Sequence, residues 1–343
     1  MTLSPALLIL MLSSFMLAPA SLAHVPLLAQ GNENISSALY ISDPGKSWAA
    51  YGFLSPGTTQ YYSFDMEQGQ RIYLSLLKST NPEEKDFQPE MALLGPGVNT
   101  QGQPAVHVFV PQSLKSLGYL EVEGKNESEP FFEPFGPGSY ISMAELDTAA
   151  PKSGRYFVVV YDNETSGHYS LAVGYREEFS YLERITTPIR LVGVYVWGGQ
   201  SAIMVLFPYL LAEFIGLLVF WRGPKRTAYC LAGTLAAFLF LATSASVITQ
   251  IIINLTRVSF GSEVYISLTI AVFHAILGVA TLHLARGEAG ILQRVLLAVI
   301  GTIALLAGSG LILGPLLAIA ASMLPSQKSI FSEPVNKSSE SQP

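Results

Sequence analysis

Four long apolar stretches follow Arg190: 197–221, 228–253, 264–284 and 295–321. Each matches or exceeds the roughly 20 residues that a helix needs to cross a hydrocarbon layer of about 30 Å. The composition agrees, because half of the 343 residues are apolar and only 13% are charged, too few charges for a soluble chain of this length. Trp197 and Trp221 bracket the first stretch, where interfacial rings prefer to lie, and Arg222, Lys225 and Arg226 crowd the short loop after it. Lysine and arginine are retained on the cytosolic side, so that loop is read as inside, as is the second basic loop between Arg286 and Arg294. Four crossings then place the polar, serine-rich tail 325–343 outside, as a disordered segment. Gly310 and Gly314 form a GxxxG pair, Ala232, Ala236, Ser244 and Ala245 offer small packing surfaces, and Pro208 and Pro315 are expected to kink their helices.

The other end of the chain reads as an export signal. Leu7 to Leu17 is apolar but too short to span, and small residues follow at Ala18, Ala20, Ser21 and Ala23, so residues 1–23 are expected to be a cleaved signal peptide, cut after Ala20 or Ala23. What remains between the two hydrophobic regions, 24–189, is an extracytoplasmic domain. Residues 25–189 carry 20 acidic and 10 basic side chains, leaving 5 acidic and 9 basic for the rest. The acidic surface repels phosphate backbones and excludes nucleic acid as a partner, while cations and basic proteins suit it. Cys230 is the only cysteine, which excludes an intrachain disulfide and a CxxC redox pair.

Period-two alternation dominates this domain. Tyr62, Phe64 and Met66 share one face, and after EQGQ so do Ile72, Leu74 and Leu76; RYFVVVY is joined through DNETSG to HYSLAVG. These segments are expected to form two antiparallel hairpins. Met91 to Leu94 before GPG and Ala105 to Val110 add short strands, giving two packed antiparallel sheets. The fold class is therefore an extracytoplasmic all-β sandwich followed by an α-helical bundle of four transmembrane helices.

The order YGFLSPGTTQYYSFDMEQGQRIYLSLL, PEMALLGPG, SGRYFVVVYDNETSGHYSLAVG, over about 47–174, resembles the bacterial pre-peptidase C-terminal domain. That resemblance implies a jelly-roll-like sandwich with an accessory or adhesive role and no catalytic residues. This chain departs from the family's usual setting, having no protease domain and carrying an insert around FFEPFGPGSY. Phe131, Phe132, Phe135 and Tyr140 of that insert are the candidate ligand-binding aromatics, weighed against loop packing. The expected function is a non-catalytic, membrane-anchored surface protein of the plasma membrane that binds a glycan, a cell-envelope component or a membrane partner.

Two further chemistries have named residues. Cleavage after Ala23 leaves His24 first, whose amine and imidazole chelate copper if His107 or His168 completes the site. Glu213, deep in the first span, is costly unless protonated or paired, with Gln250 and His274 as its expected partners in a proton-coupled transporter or channel. The acidic groups at Glu83, Glu84 and Asp86, at Glu121, Glu123, Glu127 and Glu129, and at Asp162 and Glu164 lack EF-hand spacing; they are read as solvated surface, with loop calcium binding as the alternative. Asn-x-Ser/Thr triplets at Asn34, Asn126, Asn163, Asn254 and Asn336 all fall outside under the four-crossing topology and are candidate glycosylation sites. No HExxH, GxSxG, P-loop or GxGxxG is present.

Overall fold

The computed structural model describes residues 24–101, 116–125, 129–287 and 289–327. The expected signal 1–23, the expected strand at 105–110, His107, Asn126, Glu127, Asn336 and the tail beyond 327 lie outside the described residues. The chain divides into a sandwich unit (24–78, 86–128 and 142–178) and a helical unit (79–85, 129–141 and 179 onward).

The sandwich strands are β1 (Val25–Leu28), β2 (Leu39–Tyr40), β3 (Trp48–Leu54), β4 (Thr59–Met66), β5 (Arg71–Ser79), β6 (Glu90–Gly95), β7 (Gly118–Glu121), β8 (Phe131–Glu133), β9 (Gly138–Ala149), β10 (Gly154–Tyr161) and β11 (Gly167–Val173). They form one sheet in the order β1-β3-β11-β5-β9-β8 and a second in the order β2-β4-β10-β6-β7. Between the sheets the alternate residues of each strand meet: Phe64 and Met66 from β4, Ile72, Leu74 and Leu76 from β5, Val158 and Val160 from β10, Leu171 and Val173 from β11. The opposite residues of the second sheet are apolar too. Tyr61, Ala92, Leu94, Phe157, Val159 and Tyr161 join Ile35 and Tyr119 in a second buried cluster, which is why RYFVVVY reads as a continuous apolar run.

The expected hairpins do not form. β4 pairs with β10, not β5, and β11 pairs with β5 and β3, not β10, so EQGQ and DNETSG carry the chain from one sheet to the other. Alternation identifies which side chains share a face, and two strands facing each other across a core satisfy it as well as two paired side by side. Asp162 holds the second crossing. Its carboxylate accepts from the amides of Glu164 (3.0 Å) and Thr165 (2.6 Å) and from Gln88 N (3.1 Å), a structural use of that acidic residue. Inside the core, the Tyr62 and Tyr169 hydroxyls lie 2.7 Å apart and Tyr169 donates to the Gln60 side chain. Burial pushes both phenols above their ordinary range and keeps them neutral. Gly52 leaves the room: a Cβ there would stand 2.7 Å from the Tyr169 hydroxyl.

The helical unit contains α1 (Tyr181–Trp197), α2 (Ala202–Arg222), α3 (Ala228–Leu255), α4 (Val264–Arg286), α5 (Ile291–Leu306) and α6 (Leu313–Met323). α2, α3 and α4 are long and apolar enough to cross a membrane, which makes this a membrane protein. Ser180 and Glu183 cap the start of α1 reciprocally, and Ser201 and Thr227 cap α2 and α3. α3 is the hub, packed against α2, α4 and α6.

The fourth expected span, 295–321, is not one helix. α5 and α6 are only 16 and 11 residues long, and they pack on each other. The turn between them has Gly308, Gly310, Leu311 and Ile312 at positive φ. Both ends of this hairpin return to one end of the bundle. Arg294, at the start of α5, donates to the carbonyls of Ser322 and Leu324 at 2.8 Å each. Tyr229, at the start of α3, donates through its hydroxyl to Leu284 O (2.9 Å) and through its amide to Pro325 O (3.4 Å), and Lys225 reaches Gly287 O (3.3 Å). The chain therefore leaves Pro325 beside the basic loops, not at the opposite end as four crossings require. Gly310 in a left-handed turn also removes the expected helical GxxxG seam. Maleimide labelling checks this: with Cys230→Ser as background, Lys225→Cys and Ser326→Cys react with an impermeant reagent from the same side, and Gly261→Cys from the other.

Candidate functional site

The aromatic insert is packed, not displayed. Phe132 is buried in a cluster with Ile251, Val258 and Val264. Tyr140 is buried between Phe131 (6.2 Å) and Trp197 (6.3 Å), and Phe135 is half-buried. β8 and the start of β9 pair through Phe131 and Tyr140 and Glu133 and Gly138, and the turn between them is fixed by the helices. Asn254 on α3 donates to Pro137 O (3.0 Å) and accepts from Ser139 Oγ (2.8 Å), while Ser267 on α4 donates to Pro134 O (2.5 Å). Of the four residues proposed as a ligand surface, Phe131 alone is exposed. The same contacts rule out Asn254 as a glycosylation site, because its amide is buried and bonded. Asn34 and Asn163 are exposed.

The histidines do not converge. His24 Nδ1 is hydrogen-bonded to Ser47 Oγ beside the Trp48 end of β3, where Val25 pairs with Trp48. His168 pairs with Phe53 at the far end of the same strand, its ring 4.7 Å from the phenyl. Five residues at about 3.3 Å each put those ends roughly 17 Å apart, too far for a shared copper ion. Among the described residues, no group of three or more His, Cys, Asp or Glu side chains is placed to hold a metal.

In the helical unit the expected trio also separates. Gln250 is buried in a reciprocal amide pair with Gln200, at 2.6 and 2.8 Å. His274 is buried on α4 with Nδ1 unpartnered, and one carboxylate oxygen of Glu213 is buried without a partner. α2 meets α3 at Phe238, through Gly216, whereas α4 meets it at Ala237 and Leu241, through Gly278. No hydrogen bond joins Glu213 to Gln250 or His274.

The sandwich unit does hold one cleft that composition alone did not single out. It measures about 470 Å³ and is lined by Glu90, Gln101, Glu121, Glu123, Lys125 and Met143, among others. Strands β6, β7 and β9 build it: Val122 N bonds Met91 O (3.0 Å), Lys125 N bonds Met143 O (2.7 Å) and Gln101 N bonds Tyr119 O (2.8 Å). Glu90, Glu121 and Glu123 are all exposed on its walls. The single lysine is spoken for, since its ammonium lies 2.5 Å from Glu145, and Lys125, then Tyr73, hold the Glu145 carboxyl below its ordinary range. Among the described residues the cleft thus presents an excess of negative charge. The EVEGK pattern contained this signal, but the approach of Glu90 from a distant strand did not show in the sequence.

No protein-family model and no curated protein matches the chain. Among solved structures, it is similar to PliG of Salmonella Typhimurium, a periplasmic inhibitor of g-type lysozyme, with 14% identity over 40% of this chain and all of that one and a TM-score of 0.24. It is also similar to the pre-peptidase C-terminal domain of collagenase from Bacillus anthracis, with 22% identity over 39% of this chain and 91% of that one and a TM-score of 0.22. At these TM-scores neither likeness bears on what the chain binds.

Removing the Asn254 side chain leaves Ser139 and Pro137 O without their buried partner, at a cost of about 1–3 kcal/mol. Asn254→Ala therefore lowers the thermal midpoint of the detergent-solubilised protein by several degrees, while Asn34→Ala leaves it unchanged.

Proposed function

We propose that this is a non-catalytic membrane protein whose exported, pre-peptidase-C-terminal-like β-sandwich captures a cationic polypeptide segment in the Glu90–Glu121–Glu123 cleft. The observation that carries the reading is the cleft's charge among the described residues: three exposed glutamates on its walls, against one lysine already paired. Residues 1–23 act as the export signal in this reading. Arg222, Lys225, Arg226, Arg286 and Arg294 mark the cytosolic end in this reading, so the sandwich faces outward at the plasma membrane and Pro325 lies at the cytosolic end. A partner bearing lysine or arginine gains from each carboxylate at short range, with screening over about 8 Å at physiological ionic strength.

A fluorescent oligolysine peptide tests it against the full chain in detergent. The Glu121→Lys, Glu123→Lys double variant weakens binding by about tenfold or more, roughly 1.4 kcal/mol, and raising the salt weakens the unmodified protein in parallel. Affinity unmoved by both changes would remove the cleft as the site. An acidic peptide of equal length binding as tightly would remove the charge argument.

A further inference from the structure

Glu213 has no structural employment. It lies about 17 Å along α2 from Ala202 and about 14 Å from Arg222 at 1.5 Å per residue, so it is more than two turns from either end of the span. Its buried oxygen has no hydrogen-bond partner. The ionisable side chains on the two helices packed against α2 are Tyr181, Glu183, Arg184, Arg190 and Tyr195 on α1 and Tyr229 and Cys230 on α3; none forms an ion pair or hydrogen bond with Glu213 among the described residues. An anchor helix does not need such a group, and hydrocarbon penalises it unless it is paired or neutral.

A polar group on the same helix leads away from it toward the hub helix. Tyr209 is one turn away on the same face of α2, with its hydroxyl against the Thr243 and Ser246 side chains of α3. Thr243 Oγ1 accepts the amide of Gly310 at 2.8 Å, in the turn of the α5–α6 hairpin. Beside it Ser309 is fully buried with its hydroxyl unpartnered. Thr243 stands about 22 Å along α3 from Ala228, within the thickness of a bilayer. Irregular backbone at that depth occurs where it is enclosed by protein or lines a hydrated path, and intramembrane carboxylates beside such backbone mark proton and ion sites.

We propose that Glu213, with its buried and unpartnered carboxylate oxygen one helical turn from Tyr209, is a proton-binding site of the membrane unit. A proton from water adds to the free carboxylate oxygen and leaves a neutral acid, with no counter-charge required. This site is independent of the cleft in the sandwich.

Dicyclohexylcarbodiimide, an apolar reagent for protonated carboxyl groups, tests it on the full chain in nanodiscs. The acid's O–H proton moves to the carbodiimide nitrogen as the carboxylate oxygen adds to its carbon, and rearrangement leaves a stable acylurea that mass spectrometry locates. Glu213 is expected to carry the adduct, with the yield falling several-fold as the pH is raised, because only the protonated acid reacts. Glu213→Asp retains labelling at that position, and Glu213→Gln, with unchanged helical circular dichroism, loses it. Absence of the adduct at the acid end would overturn the proposal. So would protection by sodium at constant pH, which would make the site one for a metal cation instead.

Discussion

Backbone amides and carbonyls at bilayer depth have no water to turn to, so every break in a helix there needs a partner from the protein. The turn at 308–312 meets that requirement through α3. Thr243 Oγ1 receives the Gly310 amide, Phe240 lies against Gly310 and Gly314, and Pro188 closes over Gly308. Leu311 and Ile312 are held at positive φ, a conformation that costs non-glycine residues of order 1–3 kcal/mol each. That cost is tolerable only because the turn is enclosed. The hub helix must then serve several neighbours at once, and its small residues follow from this. Gly233 and Ala237 admit α4, where a Cβ on Gly233 would sit 2.6 Å from that of Ala285, and Ala236 and Ala242 are fully buried.

Three spans were readable from hydropathy because length and apolarity are sufficient for a continuous crossing. Hydropathy does not separate the fourth stretch from a span, for a physical reason: its mean apolarity is the same whether the segment crosses or doubles back. The distinguishing signal was local. Gly308, Ser309, Gly310, Gly314 and Pro315 fall within eight residues, a density of chain breakers that suits a turn better than a packing motif. α1 is announced in the sequence only by Ser180 and Glu183, which spell a capping box at its start.

In the sandwich, the inward residues of β4, β5, β10 and β11 were legible by alternation, whereas strand partners were not. Pairing is a long-range property decided by which sheet each crossing reaches, and Asp162, which fixes one crossing, looked like any surface acid. The aromatic insert failed similarly. Its composition fits an exposed contact surface or a buried wedge, and the deciding groups, Asn254 and Ser267, lie more than a hundred residues later. Asn254 shows the limit of a triplet motif, since glycosylation needs an accessible amide and this one is bonded inside the fold.

Glutamate is used in two opposed settings. In the cleft, Glu90, Glu121 and Glu123 stay in water, where each charge costs little to hold and the field they make together is the useful quantity. In α2 a single carboxylate sits in mid-span, one oxygen buried, and among the described residues no cation is bonded to it. An exposed carboxylate can be exchanged for another acid with small effect on folding, but one set in hydrocarbon is a standing penalty, reduced most simply by taking up a proton. A bundle serving only as an anchor gains from leucine at that position, through both apolarity and helix propensity. A carboxyl group in mid-span, one turn from Tyr209 and with a buried oxygen that nothing satisfies, therefore argues for a membrane unit that takes up charge as well as anchoring the chain.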